Sequence, residues 1–189
     1  MVELSGVSFG YQSDKNVLDN LNLRMEEGRF YGLLGMNGSG KTTLLKLIAG
    51  KLFAHGGEIY VDGRNLRERD VETLQKVFML PADFIFPNMS LEQFLAIYSE
   101  FYPEFRKEVL NDCLVNFEIQ RDIKNLNQLS LGEKHKVAFS IALSLGTKIV
   151  LLDEAANGMD IPARKMFRKL LMKHVREDQI VVLSTHIVQ

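Results

Sequence analysis

A chain of 189 residues with a formal net charge of −1 is long enough for one domain with a sizeable core, and its composition is ordinary for a soluble globular protein. The near-neutral charge leaves no electrostatic footprint for nucleic acid or an anionic membrane, and the single cysteine, Cys113, excludes an internal disulfide and suits a reducing compartment. No apolar run approaches the roughly 20 residues that span a bilayer, and Met1–Leu4 lacks a signal-peptide layout, so the chain is expected to be cytosolic. If it acts at a membrane, another protein supplies the membrane part. In chain order, Val2, Leu4, Val7 and Phe9 mark a strand over 2–9, and Val17, Leu18, Leu21 and Leu23 mark another over 16–25, closed by the turn Glu26-Glu27-Gly28. Phe30–Leu34 is an apolar run of buried-strand type, and 43–50 reads as an amphipathic helix ending near Gly50. Glu58–Gly63 is a short strand and turn, and Val77–Leu80 is a strand closed by Pro81. The strands on either side of 30–50 predict an antiparallel sheet laid against a second core.

From about Ser90 to Gln128 the pattern becomes helical. Ser90-Leu91-Glu92-Gln93 is a capping box followed by Phe94, Leu95, Tyr98 and Phe101 at helical spacing. Pro103 interrupts, and Val109, Leu110, Leu114 and Phe117 mark a second helix. Ser130-Leu131-Gly132-Glu133 is another capping box, opening a helix with Val137, Ile141, Ala142 and Leu145. Lys148–Asp153 is a strand apolar on both faces, as in a central parallel strand. Asp160 and Pro162 suit the first turn of a helix carrying Met166, Phe167, Leu170 and Leu171, and 179–184 is a further buried strand. Strand–helix alternation with continuous apolar strands predicts an α/β fold with a mainly parallel sheet, an antiparallel β subdomain and an inserted α-helical subdomain over about 88–145.

The chemistry centres on Gly35-Met36-Asn37-Gly38-Ser39-Gly40-Lys41-Thr42, which fits the P-loop pattern between a strand and a helix. Successive backbone N–H groups and a helix N-terminus surround a phosphate chain in that arrangement. Asn37, Gly38, Ser39, Gly40 and Thr43 would line it, Lys41 would reach the β- and γ-phosphates, and the Thr42 hydroxyl would bind Mg²⁺. Asp153 and Glu154 end a strand, where ligands of α/β sheets bind. Asp153 would help hold Mg²⁺, and Glu154 would orient or deprotonate a water attacking the γ-phosphate. Ser130 and Gly132 admit two readings, a structural cap or a second anion site, which local physics does not separate.

The order and spacing of these motifs resemble the ATP-binding subunit of an ABC transporter over essentially the whole chain. Leu129–Glu133 is similar to the family signature Leu-Ser-Gly-Gly-Gln. Ala155–Asp160 looks like its D-loop, Ser184-Thr185-His186 looks like its switch histidine, and Tyr11 matches the aromatic residue stacked on adenine. The resemblance implies a P-loop NTPase core forming a single domain over 1–189, with ATP and Mg²⁺ as ligands. It also implies a head-to-tail dimer with an identical or related second ATPase subunit, in which Ser130 and the Gly132 N–H touch the γ-phosphate of the ATP held by the partner. Glu154, His186 and Lys41 would be the catalytic groups. The other implied partner is an integral membrane transporter subunit on the cytoplasmic face of the membrane, met near Phe84–Glu104, with export the expected direction and no role for nucleic acid. Ala82 and Asp83 stand where the family's Q-loop glutamine falls, so Asp83 becomes the candidate metal ligand there. Leu131 replaces a signature glycine, Glu133 replaces its glutamine, and Ala155-Ala156 stands where proline and threonine are usual, which together predict a competent but slow ATPase. Family members usually continue past the switch histidine, so a truncated C-terminal end is expected. Two alternatives remain open: an ABC-type ATPase acting without a membrane, and an ATP-binding regulatory module that barely turns over.

Overall fold

Eight strands and six helices are found among residues 1–12 and 15–185, which the computed structural model describes. The chain divides into two units, one of 1–79, 148–154 and the segment from 177 onward, the other of 80–147 and 155–176.

The first unit contains two sheets. Strands β1 (Val2–Phe9), β2 (Leu18–Met25), β4 (Gly56–Val61) and β5 (Arg64–Asn65) form an antiparallel sheet in the order β2-β1-β4-β5. The second sheet has the order β3-β8-β7-β6, from β3 (Arg29–Leu34), β8 (Ile180–Thr185), β7 (Ile149–Asp153) and β6 (Val77–Leu80). Strand β8 pairs in parallel with both β3 and β7. Every residue of β7 is buried, which is why that segment reads as a continuous apolar run and not an alternating one. Helix α1 (Lys41–Ile48) buries Leu44, Leu45, Leu47 and Ile48 in one apolar core with Val2 and Leu4 of β1, Ile149 and Leu151 of β7, and Ile180 and Val182 of β8. Burial at roughly 1.5–3 kcal/mol for each such side chain holds the two sheets on one core. The short β5 and helix α2 (Val71–Gln75) carry no sustained apolar period and were not legible beforehand.

Asp62, at φ 50° in the β4–β5 turn, ties this unit together ionically. Its carboxylate lies 2.7 Å from the N-terminal ammonium, 3.2 Å from Lys76 Nζ and 3.1 Å from Lys148 Nζ. Burial works against its ionisation, but hydrogen bonds from these three cations win and hold its pKa far below the usual carboxylate range.

The second unit is helical: α3 (Leu91–Phe101), α4 (Lys107–Asn116), α5 (Leu131–Ser144) and α6 (Ile161–His174). Ser90 and Gln93 form the expected reciprocal cap, and Asp160 caps α6 by accepting from Ala163 N at 2.8 Å, with Pro162 in the first turn. Helix α5 is buried along nearly all of its second half; the Phe139 ring packs at a tilt of 34° against Phe167 of α6 with centroids 4.1 Å apart.

Candidate functional site

Strand register brings the site of the first unit together. Leu33 of β3 and Asp153 of β7 both lie opposite Ser184 of β8, so the three strands deliver the P-loop and the two carboxylates to the same C-terminal edge. The loop then turns sharply into α1. Gly38 sits at φ 82° and Gly40, the residue before α1, at φ 90°, left-handed conformations that a Cβ opposes. A Cβ on Gly35 would lie 2.7 Å from Ser39 Oγ. Gly38 and Gly40 are therefore required by backbone geometry, and Gly35 by the room the Ser39 side chain takes. Lys41 Nζ donates to the carbonyls of Gly35 at 2.7 Å and Met36 at 3.0 Å, folding its ammonium back over the loop.

Asp153 is fully buried, and a buried carboxylate must be paired or hydrogen-bonded. Thr42 Oγ1 donates to its Oδ2 at 2.7 Å and Ser184 Oγ donates to its Oδ1. Glu154 follows at φ 49°, a left-handed conformation that is strained for a residue with a Cβ. Its backbone N–H donates to Ser184 Oγ at 3.1 Å and to the Ser184 carbonyl at 3.3 Å. Ser184 thus anchors both acidic residues, a role the sequence reading missed. The available signal was its position, one residue short of the end of the strand and two before His186. Tyr11 is largely exposed; its ring packs edge-on to Phe9 at 5.1 Å and its hydroxyl lies 3.2 Å from Thr43 Oγ1. Asn37 and Ser39 are exposed on the loop. His186 lies outside the described residues.

In the second unit Ser130 caps α5 by a reciprocal bond. Its hydroxyl accepts from Glu133 N at 3.3 Å, while its own N–H and hydroxyl donate to Glu133 Oε2 at 2.9 and 2.6 Å. Those bonds, the hydroxyl's foremost, lower the Glu133 pKa, so Glu133 turns back into its own helix N-terminus. A Cβ on Gly132 would lie 3.3 Å from the Gly158 carbonyl. His135, one turn along, is buried beside the Phe84 ring at 5.1 Å with its Nδ1 unpartnered, and burial lowers its pKa. Asp83 is exposed in the turn after β6 and belongs to this unit, whereas Thr42 and Asp153 belong to the first. No group of three or more His, Cys, Asp or Glu side chains with metal-site spacing exists among the described residues, so a cation site here would draw on Thr42 and Asp153 and on the nucleotide itself.

A strand, a glycine loop and a helix, with a buried aspartate at the end of a nearby strand bonded to the loop threonine, define a nucleotide-binding domain of the P-loop class. The ABC transporter family model matches residues 18–157, and the chain belongs to that family. It is 29% identical over 187 residues to the ABC transporter ATP-binding protein YtrB of Bacillus subtilis, covering 98% of this chain and 63% of that protein. Among solved structures, a putative ABC transporter ATP-binding protein from Pyrococcus furiosus superimposes with a TM-score of 0.83 at 29% identity, over 100% of this chain and 92% of that one. An ATP-binding cassette solved as a dimer in a post-hydrolysis state, bound to ADP and Pi, also gives 0.83, at 27% identity and with 99% and 88% coverage. The α/β architecture with a parallel and an antiparallel sheet is that of these neighbours. No helix among the described residues is long and apolar enough to cross a membrane.

Proposed function

We propose that this chain is the ATP-hydrolysing subunit of a membrane transporter, working as an ATP-dependent dimer with a second ATPase subunit and lying on the cytoplasmic face beside an integral membrane partner. The observation that carries the site reading is the hydrogen bond from the Thr42 hydroxyl to Asp153 at 2.7 Å. It brings together two hard oxygen donors of the kind Mg²⁺ takes, alongside phosphate oxygens and water. Thr42 and Asp153, directly or through water, would hold that ion, and when bound it supplies charge neutralisation on the phosphates.

The remaining steps belong to the chain's own groups. Lys41, now satisfied by two loop carbonyls, exchanges them for phosphate oxygens and stabilises negative charge as it develops. Asn37, Gly38, Ser39, Gly40 and Thr43 surround the phosphates through the loop and the helix start, and Tyr11 stacks on the base. Glu154 polarises the attacking water, and His186 holds the γ-phosphate. Ser130 and the Gly132 N–H bind the γ-phosphate of the second subunit's ATP. That requires the Ser130 hydroxyl to leave the Glu133 carboxylate. Asp83, which stands in place of the Q-loop glutamine, would be a further oxygen ligand for that ion. The chain acts as a single domain over 1–189. Its helical part, about 88–145, carries the signature at its end and meets the membrane subunit near Phe84–Glu104. We also propose export as the direction, supported by the character of that helical segment and by the Leu-Ser-Leu-Gly form of the signature.

The test is ATP turnover by the purified protein against its Glu154→Gln variant, with dimerisation followed in the same samples. Wild-type turnover together with an inactive variant that dimerises on ATP supports the reading. If both bind ATP, neither hydrolyses it and neither dimerises, even alongside the membrane partner, the chain is a regulatory ATP-binding module instead.

A further inference from the structure

Helices α5 and α6 are each 14 residues long and are joined at both ends. At their N-terminal ends a Cβ on Gly158 would lie 3.3 Å from Leu131 Cγ, and one on Gly132 would lie 3.3 Å from the Gly158 carbonyl. The Phe139 and Phe167 rings pack against each other midway. At their C-terminal ends both helices converge on one side chain. Arg106 Nη2 donates to the Leu143 carbonyl at 2.8 Å and Nη1 to the His174 carbonyl at 3.1 Å, while its backbone N–H donates to the Ser144 carbonyl at 2.7 Å. The helices therefore run in the same direction, with their two negative dipole ends side by side and a single guanidinium between them.

This is a fitted arrangement. Glu104, two residues earlier, pairs with Arg176 and leaves Arg106 to the helix ends. Gly146, at φ 73°, lets the Glu104 carbonyl approach so closely that a Cβ there would collide with it. Arg106 Nε is buried with no hydrogen-bond partner, so that nitrogen has given up solvation while the two terminal nitrogens hold the carbonyls. A planar fork can span two acceptors that the point charge of a lysine cannot.

We propose that Arg106 is a positioning residue for the shared nucleotide site: by binding the C-terminal carbonyls of α5 and α6 together it makes the two helices move as one body. Ser130 and Gly132 at the head of α5, and Asn157–Asp160 at the head of α6, then reach the second subunit in fixed register. The proposal rests on the shared-site reading above. It differs from a general stabilising role, because it affects dimer formation and not nucleotide binding by the P-loop of the other unit.

The experiment uses Arg106→Lys and Arg106→Met, each also combined with Glu154→Gln, at a temperature where circular dichroism shows them fully folded. ATP affinity of the monomer is measured by titration with a fluorescent ATP analogue, and ATP-dependent dimerisation by sedimentation. Both variants are expected to bind ATP as the parent does, to dimerise about tenfold more weakly, and to lose kcat with KM unchanged. If Arg106→Met does not fold, Arg106→Lys decides. A folded lysine variant that dimerises and turns over like the parent overturns the proposal, as does a parallel fall in ATP affinity, dimerisation and melting temperature. If Glu154→Gln alone fails to dimerise on ATP, the shared-site reading falls and this inference falls with it.

Discussion

Replacing Ser184 with alanine removes one oxygen atom from a place where two acidic residues depend on it. The hydroxyl donates to the buried Asp153 carboxylate and accepts the Glu154 N–H at 3.1 Å. Losing a hydrogen bond to a charged group costs about 1.5–3 kcal/mol, and losing a neutral one about 0.5–1.5 kcal/mol. The Glu154 N–H keeps a weaker bond to the Ser184 carbonyl at 3.3 Å, so the expected total is roughly 2–3 kcal/mol. The chain contains no tryptophan, so urea unfolding is best followed by far-UV circular dichroism. With a urea slope of about 2 kcal/mol/M the midpoint should fall by about 1–1.5 M at unchanged slope. Turnover should fall as well, because the backbone of Glu154 is held at its strained angle partly through that hydroxyl. A midpoint within error of the parent would refute the reasoning, since it would mean that Asp153 remains satisfied with Thr42 alone.

Asp62→Asn should destabilise the protein by about 1–3 kcal/mol near neutral pH by leaving the N-terminal ammonium, Lys76 and Lys148 around a neutral side chain. Because the folded-state pKa of Asp62 is depressed, the stabilisation is fully present above the unfolded-state pKa of about 3.9 and is lost as pH falls below it. The stability gap between parent and variant should therefore close in urea titrations run at acid pH. Burial pushes the Cys113 thiol up to about 12, so a thiol reagent at mildly alkaline pH should leave it unmodified in the native protein and titrate one thiol in denaturant; prompt native reaction would contradict the packing. Glu154→Gly relieves the φ of 49°, and its unfolding free energy should be unchanged or raised by up to about 1 kcal/mol while turnover disappears. A marked loss of stability would show that the Glu154 side chain has a structural role.

Local rules sufficed wherever one short segment carries its own reason. The Ser90 and Ser130 capping boxes and the Asp160-Ile161-Pro162 helix start each satisfy backbone groups within a few residues, and the P-loop glycines Gly38 and Gly40 supply left-handed turns, so residue type and spacing announce them. The continuous apolar run of β7 likewise follows from burial on both faces. Segments with weaker local logic were not legible: β5 has two residues and α2 has five, too short for an apolar period to register. The strand expected over 16–25 begins at Leu18, although the Val17 N–H already donates to the Phe9 carbonyl at 2.7 Å.

By itself the sequence determined the ordered set of loop, signature and acidic strand end, and hence the family, because each of those motifs is chemistry written in contiguous residues. The tertiary structure alone decided which groups meet across long separations. Thr42 bonds Asp153, Ser184 serves Asp153 and Glu154 together, Asp62 gathers three cations, and Arg106 closes the ends of two helices. Such pairings depend on strand order and helix direction, which residue spacing does not encode. A polar side chain next to an apolar strand looks the same in sequence whether it faces water or a buried carboxylate. Folding removes that ambiguity, because a buried charge is stable only where donors converge on it.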